Sequence, residues 1–152
     1  VTGVQTCALP IWSRAVGFLI ALAGEAVRIW AAGHLEKSRE VTRSGPYRWT
    51  RHPLYLGSSL LAVGVIVASR SAVVAVLVAL YMTATITAAI RSEEAFLRRT
   101  FGDMYDRYSA SQAEPMARRF SLERALRNRE YRAVLGMLGG FALLALKLRL
   151  SI

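Results

Sequence analysis

The sequence predicts an all-α protein, an integral membrane helical bundle with about four transmembrane or membrane-associated helices. Three observations support this fold class. The 152 residues are 54% apolar with a mean hydropathy of +0.33, which is too apolar for an ordinary soluble domain of this size. The apolar residues are concentrated in four segments. The formal net charge of +10 comes mostly from the stretches between and after those segments, as in a membrane protein with a basic inner side.

The four apolar segments run from about Ala15 to Ala32, from Leu54 to Ala68, from Ala72 to Ile90 and from about Val134 to Leu146. A transmembrane helix needs about 20 apolar residues, and the third segment meets this requirement alone. The second is long enough only if its helix begins at Pro53, since proline suits the first position of a helix. The fourth is marginal, and we expect it either to lie in the membrane interface or to complete the bundle.

Glu25 and Arg28 interrupt the first apolar segment at a spacing of one helical turn. Charged groups inside a membrane helix are costly and usually face each other or a cavity. We expect the two side chains to neutralise each other, and the alternative is that they line a cavity.

Only Ser69, Arg70 and Ser71 separate the second segment from the third, which predicts an antiparallel helical hairpin. Gly57 and Gly64 are expected to pack against the alanines of the third segment. Such a hairpin returns the polar stretches on either side of it to one face of the membrane. Residues 34–53 hold five lysines and arginines and residues 91–132 hold ten, fifteen of the twenty in the chain, so we expect that face to be cytoplasmic.

The chain after residue 91 predicts shorter elements. Gly102 is expected to break the helix that follows the third segment, and residues 109–120 are expected to form a loop. Ser121 is suited to cap a basic amphipathic helix from Leu122 to Tyr131. A helix of this kind is predicted to lie on an anionic membrane surface.

The first eleven residues, Val1 to Ile11, do not resemble a signal peptide, because no positive region precedes an apolar core. They resemble translated adapter sequence, so we interpret residues 1–11 as an artefactual or disordered leader and residues 12–152 as one domain. The single cysteine, Cys7, excludes an internal disulfide framework and a cysteine metal site, and no metal site is predicted. Because the basic residues adjoin apolar runs, we predict a membrane partner and no nucleic acid.

Residues 43–57 place arginines and aromatic rings at the start of the second segment. Free backbone N–H groups at a helix start favour an anionic group, and Arg51 adds a permanent positive charge. His52 can donate or accept a hydrogen bond near neutral pH. Tyr47 and Tyr55 can stack on a heterocycle or hold a sulfonium by cation–π attraction. Taken singly, however, residues such as Arg48 and Trp49 are typical membrane-interface anchors.

An acidic pair, Glu93 and Glu94, ends the third segment at a boundary that is otherwise basic. Such carboxylates can bind an ammonium group by charge-assisted hydrogen bonds. Local pairing of Glu94 with Arg98 one turn later explains one of the two glutamates and leaves Glu93 without a structural role. Together with the aromatic stretch, the pair suits a zwitterionic ligand that carries a carboxylate, an amine, a purine and a positive sulfur. The ring side chains of Phe101, Tyr105 and Tyr108 are expected to be packing residues.

Two motifs then carry a family resemblance: Gly-Pro-Tyr-x-x-x-Arg-His-Pro-x-Tyr-x-Gly at 45–57 and Glu-Glu-x-x-Leu-x-x-x-Phe-Gly-x-x-Tyr-x-x-Tyr at 93–108. In order and separation they closely resemble the isoprenylcysteine carboxyl methyltransferases and the related phospholipid N-methyltransferases. The resemblance implies an integral membrane methyltransferase that uses S-adenosyl-L-methionine. It also implies a cytosolic cofactor pocket closed by the carboxy-terminal region, a lipid-like acceptor entering from the bilayer, and a location in the bacterial inner membrane.

The resemblance assigns roles residue by residue. It places Tyr47, His52, Pro53, Leu54 and Tyr55 on cofactor-contacting positions, and Glu93 on the glutamate that holds the cofactor. Arg39, Glu40, Val41 and Thr42 match a further contacting stretch more weakly. Arg51 is expected to orient an anionic acceptor or the cofactor carboxylate.

Two departures bear on the acceptor. Members that act on prenylcysteine carry a substrate-binding arginine four residues before the first glutamate, where this chain has Ala89. Arg91 is the nearby candidate for a substrate contact. The Val-Pro-Arg ending that follows the second tyrosine in the family is also absent. The acceptor group is therefore left open as a carboxylate or an amine on another lipid or amphiphile.

Two other functional classes stay open at this point. An NADPH-dependent membrane reductase of the sterol reductase type resembles the chain in its own Arg-His-Pro-x-Tyr-x-Gly stretch and a later Tyr-x-x-Tyr. The acidic motif and the Gly-Pro-Tyr start favour the methyltransferase over this reductase. The other class is a non-catalytic membrane protein that retains the fold.

Overall fold

A computed structural model describes residues 3–150, with side chains described from Ile11 to Lys147. These residues form six α-helices: α1 Gly3–Ala32, α2 Pro53–Ser69, α3 Ala72–Phe101, α4 Asp103–Ser109, α5 Leu122–Arg127 and α6 Tyr131–Leu150. A short 3₁₀ helix, Gly45–Arg48, lies between α1 and α2. No strand occurs in this part of the chain, so the all-α prediction is confirmed.

Two stretches within these helices, Ile11–Ala32 and Ala72–Phe101, are long and apolar enough to cross a membrane. The helix between them, α2, is apolar but shorter. Length and composition thus support two candidate membrane-spanning helices within the described residues, and the expected total of about four transmembrane or membrane-associated helices stays a prediction. Residues 1 and 2 of the expected leader lie outside the described residues. From Gly3 onward the backbone belongs to α1. The artefactual origin of the leader stays a prediction.

The helix ends follow the local signals in the sequence. Pro53 opens α2, and the Ser71 side chain accepts a hydrogen bond from the backbone of α3. Gly102, with φ +46°, ends α3, and the Ser121 side chain caps α5. The predicted helix over 122–131 is wrong at its far end, because Arg129 is in the left-handed region (φ +63°) and separates α5 from α6.

The closest helix packing is between α1 and α2, where two glycines on each helix face each other. A Cβ on Gly24 would lie 2.6 Å from the Gly57 carbonyl oxygen, and Gly17 faces Gly64 in the same way. The predicted packing of Gly57 and Gly64 against α3 is therefore wrong. The physical reason is that α1 carries its own pair of glycines at the same separation, which allows a closer backbone approach than alanine does. In contrast, α3 has no buried residue.

The segment between α4 and α6, residues 110–130, is called the connector below. Its backbone folds onto the loop after α1: the Ser121 N–H donates to the Gly33 carbonyl at 3.1 Å, and the Met116 N–H donates to the Arg43 carbonyl at 3.3 Å. The Asn128 side chain donates to the carbonyls of Ala32 and Leu35 at 2.9 and 3.0 Å. The connector, which includes α5, thus packs against the protein, and the placement of α5 on a membrane surface stays a prediction. The backbone carbonyls at the end of α1 need partners, and the connector supplies them.

Candidate functional site

A cavity of about 520 Å³ lies where the loop after α1, the 3₁₀ helix, the start of α2 and the end of α3 meet. Its volume falls within the range of about 300–1,000 Å³ that is usual for small-molecule sites. Four stretches supply its walls: 35–42, 47–55, 89–97 and positions between 105 and 130. The prediction that the hairpin of α2 and α3 brings the two polar stretches to the same face is confirmed, since both motifs line this one cavity.

Most of the predicted site residues line the cavity: Glu40, Val41, Thr42, Tyr47, Arg51, His52, Leu54, Tyr55 and Glu93. Three do not. Pro53 is fully buried where it opens α2, and Arg39 is exposed at the turn of the loop after α1. Arg91 is exposed on α3, whereas Ala89 lines the cavity. Because residues two apart on a helix point to different faces, the proposed substrate contact by Arg91 is not supported by this arrangement.

A cluster of three side chains joins the two motifs at the edge of the cavity. His52 Nε2 lies 2.9 Å from Glu94 Oε1, and an Arg51 guanidinium nitrogen lies 3.3 Å from the same oxygen. The predicted pairing of Glu94 with Arg98 is wrong, and Arg98 pairs instead with Asp106 at 3.0 Å. The start of α2 brings His52 and Arg51 to Glu94, and these two side chains take the place of Arg98 as its partners. The other ring nitrogen of His52, Nδ1, is buried without a hydrogen-bond partner among the described residues.

Tyrosines form the aromatic wall of the cavity. Tyr47 and Tyr105 are almost fully buried, and the Tyr108 hydroxyl donates to the Tyr47 carbonyl at 2.8 Å. Burial raises the pKa of Tyr108 to about 12 and raises the pKa of Tyr47 further, so both phenols are neutral at physiological pH. The packing role expected for Tyr105 and Tyr108 is confirmed, and both residues also line the cavity.

Glu130 is a cavity residue that the sequence interpretation missed. It is 8% exposed, and its Oε2 lies 2.9 Å from the Arg28 guanidinium. Glu25 lies farther from this guanidinium, at 3.8 Å. The expected Glu25–Arg28 pair is therefore present but secondary, since Arg28 bonds mainly to Glu130 and Ser58. The position of Arg28 in an apolar segment was the available signal for an acidic partner in addition to Glu25.

The connector is attached to the cavity wall by ion pairs. Arg118 holds both carboxylate oxygens of Glu40, the second at 2.9 Å, so this predicted cofactor-contacting carboxylate is already engaged. Arg124 donates to Glu36 at 2.8 Å, and this hydrogen bond lowers the pKa of the Glu36 carboxyl. The two arginines thereby fix the stretch 35–42 that forms one side of the cavity.

His34 lies buried beneath these ion pairs. Its Nδ1 is 3.1 Å from the Ser44 hydroxyl oxygen. Burial lowers the pKa of His34, and the positive charges of Arg124 and Arg118 lower it further. The imidazole is therefore neutral at physiological pH, and it links the end of α1 to the start of the 3₁₀ helix.

Fold and site together define a class of protein: an all-helical chain with two helices long and apolar enough to cross a membrane, and with a cavity at the end of its apolar helices. The phospholipid methyltransferase family matches residues 3–104, which is more than half of the chain. The chain belongs to this family of membrane enzymes, as its two motifs predicted.

One curated relative is similar to part of the chain. The chain is similar to the nickel-cobalt-cadmium resistance protein NccN of Alcaligenes xylosoxydans xylosoxydans, at 34% identity over 93 residues. The similarity covers 60% of this chain and 44% of that relative, so the chain matches less than half of the relative's length. No solved structure matches the chain.

Proposed function

We propose that the protein is an integral membrane methyltransferase that binds S-adenosyl-L-methionine in the cavity and methylates a lipid-like acceptor. One observation carries this proposal: His52 at the start of α2 and Glu93 near the end of α3 line the same cavity. These residues come from the two separate motifs of the resemblance, and the family match covers both positions.

The residues present fit this cofactor. Glu93 offers a carboxylate to an ammonium group, and Arg51 offers a guanidinium to a carboxylate. The rings of Tyr47 and Tyr55 offer faces to a purine or a sulfonium. The buried Nδ1 of His52 still requires a hydrogen-bond partner, which a bound ligand can supply. When bound, S-adenosyl-L-methionine supplies a methyl group made electrophilic by the adjacent positive sulfur.

The contribution of the chain to methyl transfer is positioning. Glu94 holds Arg51 and His52 to α3, so the cationic and hydrogen-bonding groups of the cavity keep a fixed separation. Leu54 and Phe96 add an apolar wall that excludes water. Holding two reactants in a productive geometry lowers a barrier by up to about 7–11 kcal/mol in favourable cases. In this proposal Arg51 orients an anionic acceptor or the cofactor carboxylate.

The acceptor is a lipid or a small amphiphile with a carboxylate or an amine. Ala89 lines the cavity at the position where the prenylcysteine enzymes have arginine, which argues against prenylcysteine. We place the cavity on the cytoplasmic side of a bacterial inner membrane. Most of its lining residues fall within 34–53 and 91–132, the stretches that contain fifteen of the twenty lysines and arginines.

Ligand binding by the purified protein in a neutral detergent tests the proposal. We expect calorimetric binding of S-adenosyl-L-methionine or its demethylated product, and no binding of NADPH. Glu93→Gln should weaken this binding by about 10- to 100-fold, because a charge-assisted hydrogen bond contributes about 1.5–3 kcal/mol. Glu123→Gln is the matched control, since Glu123 is exposed on α5 and outside the cavity.

Two results would contradict the proposal: binding of NADPH instead of the sulfonium cofactor, or unchanged affinity in Glu93→Gln. The first would favour the reductase class, and absence of both ligands would favour the non-catalytic class. Incubating membranes with methyl-labelled S-adenosyl-L-methionine, followed by separation of the lipids, would then identify the acceptor. Label should enter a lipid or amphiphile fraction, and Glu93→Gln should abolish it.

A further inference from the structure

A second pocket, of about 480 Å³, adjoins the cavity. It is built from residues 43–51 on one side and from 108–115 on the other. Tyr47, Arg51 and Tyr108 border both spaces, and the hydrogen bond from Tyr108 to the Tyr47 carbonyl closes the wall between them. Neither the family match nor the roles assigned above give this second space a ligand. It is called the arginine pocket here, after Arg43, Arg48 and Arg51.

The arginine pocket concentrates positive charge. Of the described residues that line it, three are arginines and none carries a carboxylate. Arg51 is paired with Glu94 at 3.3 Å, but Arg48 forms no ion pair or hydrogen bond within the described part of the chain. Arg43 donates through one terminal nitrogen to the Glu114 carbonyl at 2.9 Å, an oxygen without formal charge. Two guanidinium charges are therefore left without a counter-charge.

The pocket also holds hydrogen-bond donors that lack acceptors. The Nε of Arg43 is buried and has no hydrogen-bond partner among the described residues. A buried N–H group without a partner is costly, and such a group in a native structure usually indicates a missing ligand or water. The hydroxyl groups of Thr50 and Ser111 line the same space, whereas the Ser109 hydroxyl, also in the lining, already donates to the Asp106 carbonyl at 2.9 Å. This set of donors, with no carboxylate to compete, is suited to an oxyanion.

The pocket lies at the level expected for lipid headgroups. Trp49, one of its lining residues, is 77% exposed, and its ring centroid lies 5.6 Å from that of Trp30. Trp30 is near the end of the apolar stretch Ile11–Ala32, and tryptophans are enriched at the membrane–water interface. Arginines that act only as interface anchors spread outward into the headgroup layer. Here three of them line one concave space.

We propose that the arginine pocket binds a phosphate group, in the form of a phosphate monoester or diester. The planar guanidinium matches two phosphate oxygens at once, and weak hydration makes arginine the preferred residue for such contacts. Either a phospholipid headgroup or a soluble phosphate compound carries this chemistry. Phosphate binding requires no methyl transfer, so the proposal stands or fails separately from the enzymatic function.

The test is calorimetric titration of the purified full chain in a neutral detergent with two probes. One probe is dihexanoyl phosphatidylglycerol below its micellar concentration, and the other is inorganic phosphate. Arg48→Gln is the informative variant, because Arg48 makes no contact that the fold needs. Arg119→Gln is the matched control, since it removes the same charge from an exposed position that lines neither the cavity nor the arginine pocket.

We expect Arg48→Gln to weaken the binding of at least one probe about tenfold, and Arg119→Gln to leave it unchanged. Binding of the lipid alone would assign the site to a headgroup, whereas binding of inorganic phosphate would assign it to phosphate compounds in general. The proposal is overturned if neither probe binds the unmodified chain, or if Arg48→Gln binds as the unmodified chain does. It is also overturned if both variants weaken binding equally, because that result indicates general surface charge. Both variants should still bind the methyl donor if the two spaces are separate.

Discussion

Replacing Glu130 by alanine would remove the main acidic partner of Arg28, whose guanidinium lies between α1, α2 and the start of α6. Two hydrogen bonds join this guanidinium to the Glu130 carboxylate, at 2.9 and 3.2 Å. The Arg28 and Glu130 side chains are only 20% and 10% exposed. The substitution therefore leaves a largely buried positive charge with weaker compensation.

The expected cost can be bounded from the contacts that remain. Removing one partner of a buried ion pair costs about 3–5 kcal/mol when no other group compensates. In this protein Glu25 stays 3.8 Å from Arg28, and Ser58 still accepts a hydrogen bond from it. We therefore expect Glu130→Ala to lower the free energy of unfolding by about 2–3 kcal/mol, near the contribution of a charged hydrogen bond.

The measurement is reversible unfolding in mixed detergent micelles, with Glu123→Ala as an exposed control on the neighbouring helix. A double-mutant cycle with Arg28→Met separates the pair from other effects of the substitutions. The double variant should be less destabilised than the sum of the two single variants, because it removes both charges of the pair, whereas each single variant leaves one of them without its main partner. Additive costs, or a cost of Glu130→Ala within about 0.5 kcal/mol of the control, would refute this reasoning.

The remaining predictions concern helix packing, a buried histidine and the connector. Gly24→Ala should lower the melting temperature in detergent, since overpacking costs about 1–3 kcal/mol, whereas Gly139→Ala has open space around it and should raise it slightly. Because burial lowers the pKa of His34, the unfolded chain binds a proton below about pH 6.5 that the folded chain does not. Stability should therefore fall from pH 7.5 to 5.5, and a His34→Asn profile as steep as the unmodified one would contradict this. Arg118→Gln should speed proteolysis within the connector, while Arg119→Gln, which removes an exposed neighbouring charge, should not; equal rates would argue against the ion pair.

Local signals in the sequence predicted the ends of the helices well. Proline at a first helical position, serine caps and a glycine in the left-handed region act over three or four residues. Their effect does not depend on which other helix is near. Pro53, Ser71, Gly102 and Ser121 accordingly begin or end helices as expected.

Partners at long range could not be predicted in the same way. Spacing showed that Gly57 and Gly64 form a small face, but α1 and α3 both offered small residues to receive it. Glu94 had an acceptable partner one turn away, and only the folded chain brings His52 closer. In each case the choice depends on which helices become neighbours, and periodicity along one helix contains no such information.

Glu130 shows the same limit at the site. In the sequence it stands in a basic stretch far from both motifs, where a glutamate is readily interpreted as an exposed surface charge. The positive φ of Arg129 turns the chain so that Glu130 points towards Arg28. The sequence motifs indicated two of the stretches that line the cavity, whereas the part of its lining near Glu130 arises from this turn.

The family match ends at residue 104, yet Tyr105, Tyr108, Asn128 and Glu130 all line the cavity. A chain shortened after Met104 would keep the first motif but lose Tyr105 and Tyr108 of the second, and one flank of the cavity would be open to water. This flank of the cavity thus depends on residues beyond the family match, and charged contacts of low exposure hold the connector beside it. Because salt screens such contacts less than exposed ones, we expect the flank to stay closed at ionic strengths that would separate surface ion pairs.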